Sequence, residues 1–251
     1  MSLIDLIINL LLGIGLGTVG GLFGIGGGLI AIPVLGVLFG MDQQLAQGTA
    51  LVMMVPNVML ALWRYHQRNH LELRHVLPLA SMGFVFAFVG AALAVNLPAG
   101  AMRVAFIVFL LALAAYNLSR LFVTGVIKSN EMRYGWPWLG VLGAAAGSLG
   151  GLLGVGGSVV ATPLLTSLFG TSQVVAQGLS LALAVPSTSV TLLTYAFHGH
   201  VNWPQGLVLA LGGLFSVSWG VHLAHALPER LLRGLFCGFL VVCAVMLCFK
   251  V

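Results

Sequence analysis

Apolar residues run along this chain in stretches of roughly 20, the length that carries an α-helix across a bilayer core. The stretches cover 3 to 39, 44 to 63, 76 to 96, 101 to 122, 136 to 169, 174 to 197, 204 to 225 and 230 to 249. The longest polar interruptions are Arg64 to His75 and Ser119 to Trp136, which leaves little room for a water-soluble domain. The pattern predicts an all-α integral membrane protein, since a helix satisfies its own backbone where no water can.

The stretch from 3 to 39 is too long for one span at 1.5 Å per residue and short for two spans with a turn. Glycine at 20, 21, 24, 26, 27 and 28 costs helix stability, and Pro33 lacks a backbone donor, so the middle is expected to unwind or turn back. Non-helical backbone at that depth survives only when it is buried in protein or lines a watery cavity. The same reading applies to 136 to 169.

A shift of 130 residues lays GGLFGIGGGLIAIPVL at Gly20 over GGLLGVGGSVVATPLL at Gly150 without a gap. Half of the positions from 20 to 57 are identical to their partners. Gln47 faces Gln177, Pro56 faces Pro186, Tyr65 faces Tyr195 and His70 faces His200, and the register continues through Arg103 and Arg233. The expected organisation is therefore two homologous transmembrane repeats, 1–125 and 126–251. Each has a Gly-broken or re-entrant element followed by three helices, for eight to ten membrane segments in all.

Composition agrees with lipid as the solvent. Ten Lys+Arg and five Asp+Glu make 6% of the chain, against about 25% in soluble domains. The basic residues sit at span ends, where they act as topology signals and give no ground for nucleic-acid binding. Were the broken element a single crossing, the halves would be parallel; were it a hairpin, they would be inverted. Inversion puts eight bases on one side and two on the other, against seven and three for the parallel arrangement, a small margin; inverted repeats are expected mainly because transporters so often use them. No basic region precedes the first apolar run, so a retained N-terminus is expected.

Gly24-Ile25-Gly26-Gly27-Gly28 and Gly154-Val155-Gly156-Gly157 invite comparison with nucleotide loops, but no Gly-Lys-Ser/Thr follows either. Within a bilayer, N–H groups at the start of a half-helix carry partial positive charge and can hold an anion. Close helix packing through small residues is the competing account. No Lys or Arg lies mid-span, so an anion there has to be met by backbone dipoles, hydroxyls and amides.

The candidate substrate-binding residues are paired between the halves: Gly24, Gly26, Gly27 and Gly28 with Gly154, Gly156, Gly157 and Ser158; Gln47 with Gln177; Asn57 with Ser187. Thr49 and Ser180 lie on the same two helices. A hydroxyl in such a helix is often satisfied by its own i−4 carbonyl, whereas an amide with two donors has to find partners elsewhere. Arg64 and Arg68 share a face and could draw anions inward or simply anchor the helix at the headgroups. No carboxylate falls inside a span for a proton relay, and His222 and His225 are the nearest titratable pair. Cys237, Cys243 and Cys248 lack a metal or disulfide pattern and read as apolar filler. No cofactor or metal is expected.

The duplicated GGLFGIGGGLIAIPVL, followed by AQGTALVMMVPN, Tyr65 and the His70 loop, resembles the TauE/SafE family of sulfite and organosulfonate exporters, also called the TSUP family. The likeness covers nearly the whole chain. Leu179 departs from it, standing where the first copy has Thr49. The resemblance implies a multi-pass plasma-membrane permease that moves small anions such as sulfite, sulfoacetate or thiosulfate with proton coupling, and makes export the favoured direction. The expected partners are a small anionic solute and the lipid bilayer, with a homodimer as a candidate assembly. A passive anion channel or an uptake permease for another organic anion is the alternative. An intramembrane enzyme is disfavoured, because no Ser-His pair, di-acid or His-Glu-x-x-His constellation lies within the spans.

Overall fold

The structure, a computed structural model, describes residues 3–23, 25–68, 72–122, 135–227 and 229–248. Gly24 and His70, named above, lie outside them. The described residues form ten helices: α1 Leu3–Phe23, α2 Gly28–Leu38, α3 Gln43–Arg68, α4 Leu73–Asn96, α5 Ala99–Phe122, α6 Trp136–Leu153, α7 Ser158–Ser167, α8 Gln173–Phe197, α9 Trp203–Ala226 and α10 Glu229–Cys248. Six of them contain a segment long and apolar enough to cross a membrane, those in α1, α3, α4, α5, α8 and α9.

Both long stretches break where the glycines predict. Gly26, Gly27, Gly154, Gly156 and Gly157 adopt positive φ, from 67° to 85°, a region that L side chains rarely enter. The two breaks also close alike: Ile25 N donates to Gly20 O at 3.1 Å, and Val155 N donates to Gly150 O at 3.0 Å. Pro33 and Pro163 do not break the chain but sit inside α2 and α7. Each ring costs its helix the one bond to the carbonyl four residues earlier, Leu29 in α2 and Val159 in α7. Arg64, expected in a loop, lies on α3, which runs on to Arg68.

Small residues set the long-range packing. Added Cβ atoms at Gly13, Gly17 and Gly21 of α1 would collide with the backbone of Leu209, Gly213 and Val217 of α9. Gly143, Gly147 and Gly151 of α6 meet Leu79, Gly83 and Ala87 of α4 in the same way. Each of these contacts is the other moved by the 130-residue shift with the halves exchanged. Glycine at every fourth position lets the paired backbones approach closely, and contact is what drives association when lipid is as apolar as the side chains. The ascending numbers make α1 parallel to α9 and α6 parallel to α4. Gly48 meets His200, Val52 meets Gly206 and Asn57 meets Gly213, ascending on both sides too, so α3 runs parallel to α9. The chain passes back along α2 before α3 begins, since Gly28 meets Met54 halfway along α3 and only 39 to 42 separate α2 from α3.

The outward surface is apolar. Phe215 is 77% exposed and Trp219 is 69% exposed, while among the described residues no Asp, Glu, Lys or Arg side chain is buried.

Candidate functional site

The polar interior gathers where α3 and α8 cross. Tyr195, late on α8, donates its hydroxyl to Gln47 Oε1 at 2.9 Å, and Tyr65, late on α3, donates to Gln177 Oε1 at 3.3 Å. These two bonds, end to start and start to end, make α3 and α8 antiparallel. Gln47 and Tyr195 are fully buried, whereas Gln177 and Tyr65 are half-buried.

The glycine breaks close on the same crossing. A Cβ at Gly154 would lie 2.9 Å from Gln47 Cβ, so the break of the second half packs directly on the amide-bearing helix of the first. Gly156 abuts Thr188 and Met54; Gly26 and Gly28 also abut Met54, and Gly27 abuts Met53. Neither α2 nor α7 has a side-chain cap at its N-terminus.

Several buried polar atoms here have no protein partner. They are Gln47 Nε2, both side-chain atoms of Asn57, Ser158 Oγ and Ser180 Oγ, with Gln43 Nε2 one turn before Gln47. Each such group costs about 1–3 kcal/mol when left unpaired. Asn57 lies against Gly213, where a Cβ would come within 2.8 Å of its Nδ2. Ser158 is the first residue of α7, on the half-helix that the second break begins.

The remaining candidates are accounted for by the protein itself. The Ser187 hydroxyl is within 2.8 Å of Leu183 O and 3.0 Å of Gly156 O, which ties α8 to the break. Thr188, Ser189, Thr191 and Thr194 donate to their own i−4 carbonyls at 2.7–2.9 Å, as helix hydroxyls do. Thr49 Oγ1 accepts from Asn202 N at 3.0 Å and so fastens the α8–α9 turn to α3.

The charged residues stay at the periphery. Arg64 and Arg74 are exposed, and Arg103 is half-buried. His66, His198 and His222 are exposed, and His75 Nδ1 lies 3.3 Å from a Glu72 carboxylate oxygen. Among the described residues no three His, Cys, Asp or Glu side chains gather where a metal could be held. Cys237 and Cys243 are buried free thiols, the former facing Ala114 O at 3.8 Å.

Three features escaped the sequence reading. The Tyr–Gln exchange was visible only as two aligned pairs, with nothing to say that each tyrosine reaches into the other half. Gln205 Nε2 donates to Asn9 Oδ1 at 3.0 Å and joins α9 to α1, a buried amide pair with no counterpart at Leu139 and His75. Met54 carries no polar signal at all.

The family model for the sulfite exporter TauE/SafE matches residues 9–247. A probable membrane transporter protein of Methanocaldococcus jannaschii is 25% identical over 241 residues, covering 89% of this chain and 88% of that one. The probable membrane transporter protein YunE of Bacillus subtilis is 24% identical, covering 89% of this chain and 90% of its own. A third, from Xylella fastidiosa, is 27% identical over 92% of this chain and 88% of its own. No solved structure matches the chain. A multi-pass helical chain whose curated relatives are named as membrane transporters, and which the family model covers almost end to end, belongs to the sulfite exporter TauE/SafE family: it is a membrane transporter and not an enzyme.

Proposed function

We propose that the protein is a secondary transporter of the cell membrane that exports small sulfur-containing anions, and that it binds them where the two glycine breaks meet α3 and α8. The observation that carries this reading is the set of unpartnered buried atoms on Gln47, Asn57, Ser158 and Ser180. Ser158 begins one half-helix and Gln47 packs on the break before it, and four residues buried at such a cost make sense if a polar solute completes their bonds. Each half-helix start contributes roughly +0.5 of an elementary charge, which supplies the attraction that no buried cation provides.

The arrangement of helices supports inverted repeats. α1 and α2 form a hairpin that returns to the end where it began, α3, α4 and α5 then cross, and the second half repeats this with α8 antiparallel to α3. Under this reading residues 1–125 and 126–251 are the two inverted repeats, each lending its first helix to the other, and the solute sits where their glycine breaks meet, as in other inverted-repeat transporters. Asp5 and Asp42 are exposed, and among the described residues no carboxylate is buried to relay a proton. A coupled proton would then travel on the solute, as it does in hydrogensulfite.

The test is flux in proteoliposomes with sulfite, sulfoacetate or thiosulfate, with and without a pH gradient. The parent should show saturable flux that accelerates with substrate on the far side. Gln47→Leu and Gln177→Leu should insert normally and lose it. Parental rates in both variants would remove the amides from the site, and flux without saturation or exchange would make the protein a channel.

A further inference from the structure

We propose that Met54 is the occluding residue of the transport route, an apolar plug seated between the two glycine breaks that must swing aside for an anion to pass and that sets the size of anion admitted. The inference rests on the reading of the protein as an anion transporter and goes beyond it by assigning the barrier to one side chain.

Met54 is completely buried and touches both breaks. A Cβ at Gly28 would lie 2.5 Å from its Sδ and one at Gly26 would lie 3.2 Å from its Cγ, both in the first half. A Cβ at Gly156, in the second half, would lie 2.9 Å from its Cε. One thioether thus fills the gap between the two half-helix starts, and those three glycines leave it the room. The repeat makes the choice of residue informative: the partner position is Ala184, so only the first half offers a long, flexible side chain there.

The unpartnered polar atoms lie on either side of this plug along α3. Gln47 is seven residues before it, roughly 10 Å along the axis, and Asn57 is three residues after it, roughly 4.5 Å. Spacings of seven and three return to neighbouring faces of a helix, so the amides and the plug border one route. An unbranched side chain with three rotatable bonds is suited to this task, because it can fill an irregular gap and leave it without strain to the backbone. A Leu or Ile there would seal as well but move less freely.

The test compares flux of two singly charged sulfonates of different size, methanesulfonate and benzenesulfonate, in proteoliposomes carrying the parent, Met54→Ala or Ala184→Met. Met54→Ala should raise methanesulfonate flux severalfold and admit benzenesulfonate. Ala184→Met, which sets a second thioether at the position the repeat pairs with Met54, should slow both, and its monodispersity is checked because Ala184 is fully buried. Met54→Ala also costs core packing, so its monodispersity is checked; if it does not fold, Ala184→Met decides alone, and parental flux in that variant overturns the proposal. Unchanged rates and size cut-off in both variants overturn it while leaving the transporter reading intact. No movement of any sulfur anion by the parent brings down that reading, and this one with it.

Discussion

The Tyr195 hydroxyl reaches Gln47 Oε1 at 2.9 Å and thereby joins the last turns of α8 to the first turns of α3. Tyr65 and Gln177 make the matching bond at 3.3 Å, but in a half-buried setting. Replacing Tyr195 with Phe strands a fully buried amide oxygen, which costs about 1–3 kcal/mol. Gln177 is only half-buried, so replacing Tyr65 costs less. Thermal unfolding in detergent should therefore show a clear loss for Tyr195→Phe and a smaller one for Tyr65→Phe; equal losses would refute the difference in burial.

Asn57 offers a sharper separation of stability from function. Both polar atoms of its side chain are buried without a partner, so Asn57→Ala relieves a penalty of about 1–3 kcal/mol, set against the packing it loses. We expect unfolding temperature to hold or rise while transport falls. A variant that unfolds early and transports at the parental rate would show that Asn57 serves the fold.

Charge selection follows from the polar inventory. Two half-helix starts of roughly +0.5 each balance about one negative charge, and no cation is buried among the described residues to balance a second. Singly charged anions should outrun doubly charged ones: hydrogensulfite and methanesulfonate over thiosulfate. Sulfite flux should rise as pH falls, because more of the anion carries its proton. Competition assays that rank thiosulfate equal to methanesulfonate would contradict this.

The glycine seam between α1 and α9 provides a paired control. A Cβ at Gly17 would meet the backbone of Gly213, whereas one at Gly15 finds nothing within 4 Å. Gly17→Leu should abolish monodisperse protein, through overpacking of about 1–3 kcal/mol or more, and Gly15→Leu should leave the elution profile unchanged.

Much of this architecture can be read in the amino acids, because glycine constrains the backbone wherever it occurs. The breaks at Gly24 to Gly28 and Gly154 to Gly157 are recognisable by composition, and the repeat doubles the signal. The satisfied hydroxyls of Thr188, Thr191 and Thr194 follow from local helix geometry. Partnerships between halves are different, since a periodic pattern says which face of a helix is apolar but not which helix lies against it. Gln47 could be singled out as an amide in need of partners, yet nothing near it in sequence points to Tyr195. Met54 was invisible for a simpler reason: a methionine in an apolar span looks like every other core residue until the glycines on both sides of it are seen.

The exchange of first helices between the halves also governs how the protein can be made. α1 leaves the ribosome early, but the groove that receives its glycines is on α9, almost at the far end of the chain. Until α9 is synthesised, α1 can pack only on the break and helix that follow it, and its face of Gly13, Gly17 and Gly21 lacks its partner. Neither half expressed alone has a mate for its leading helix, so each should be cleared by proteolysis. Co-expressed as two fragments, they should rescue one another.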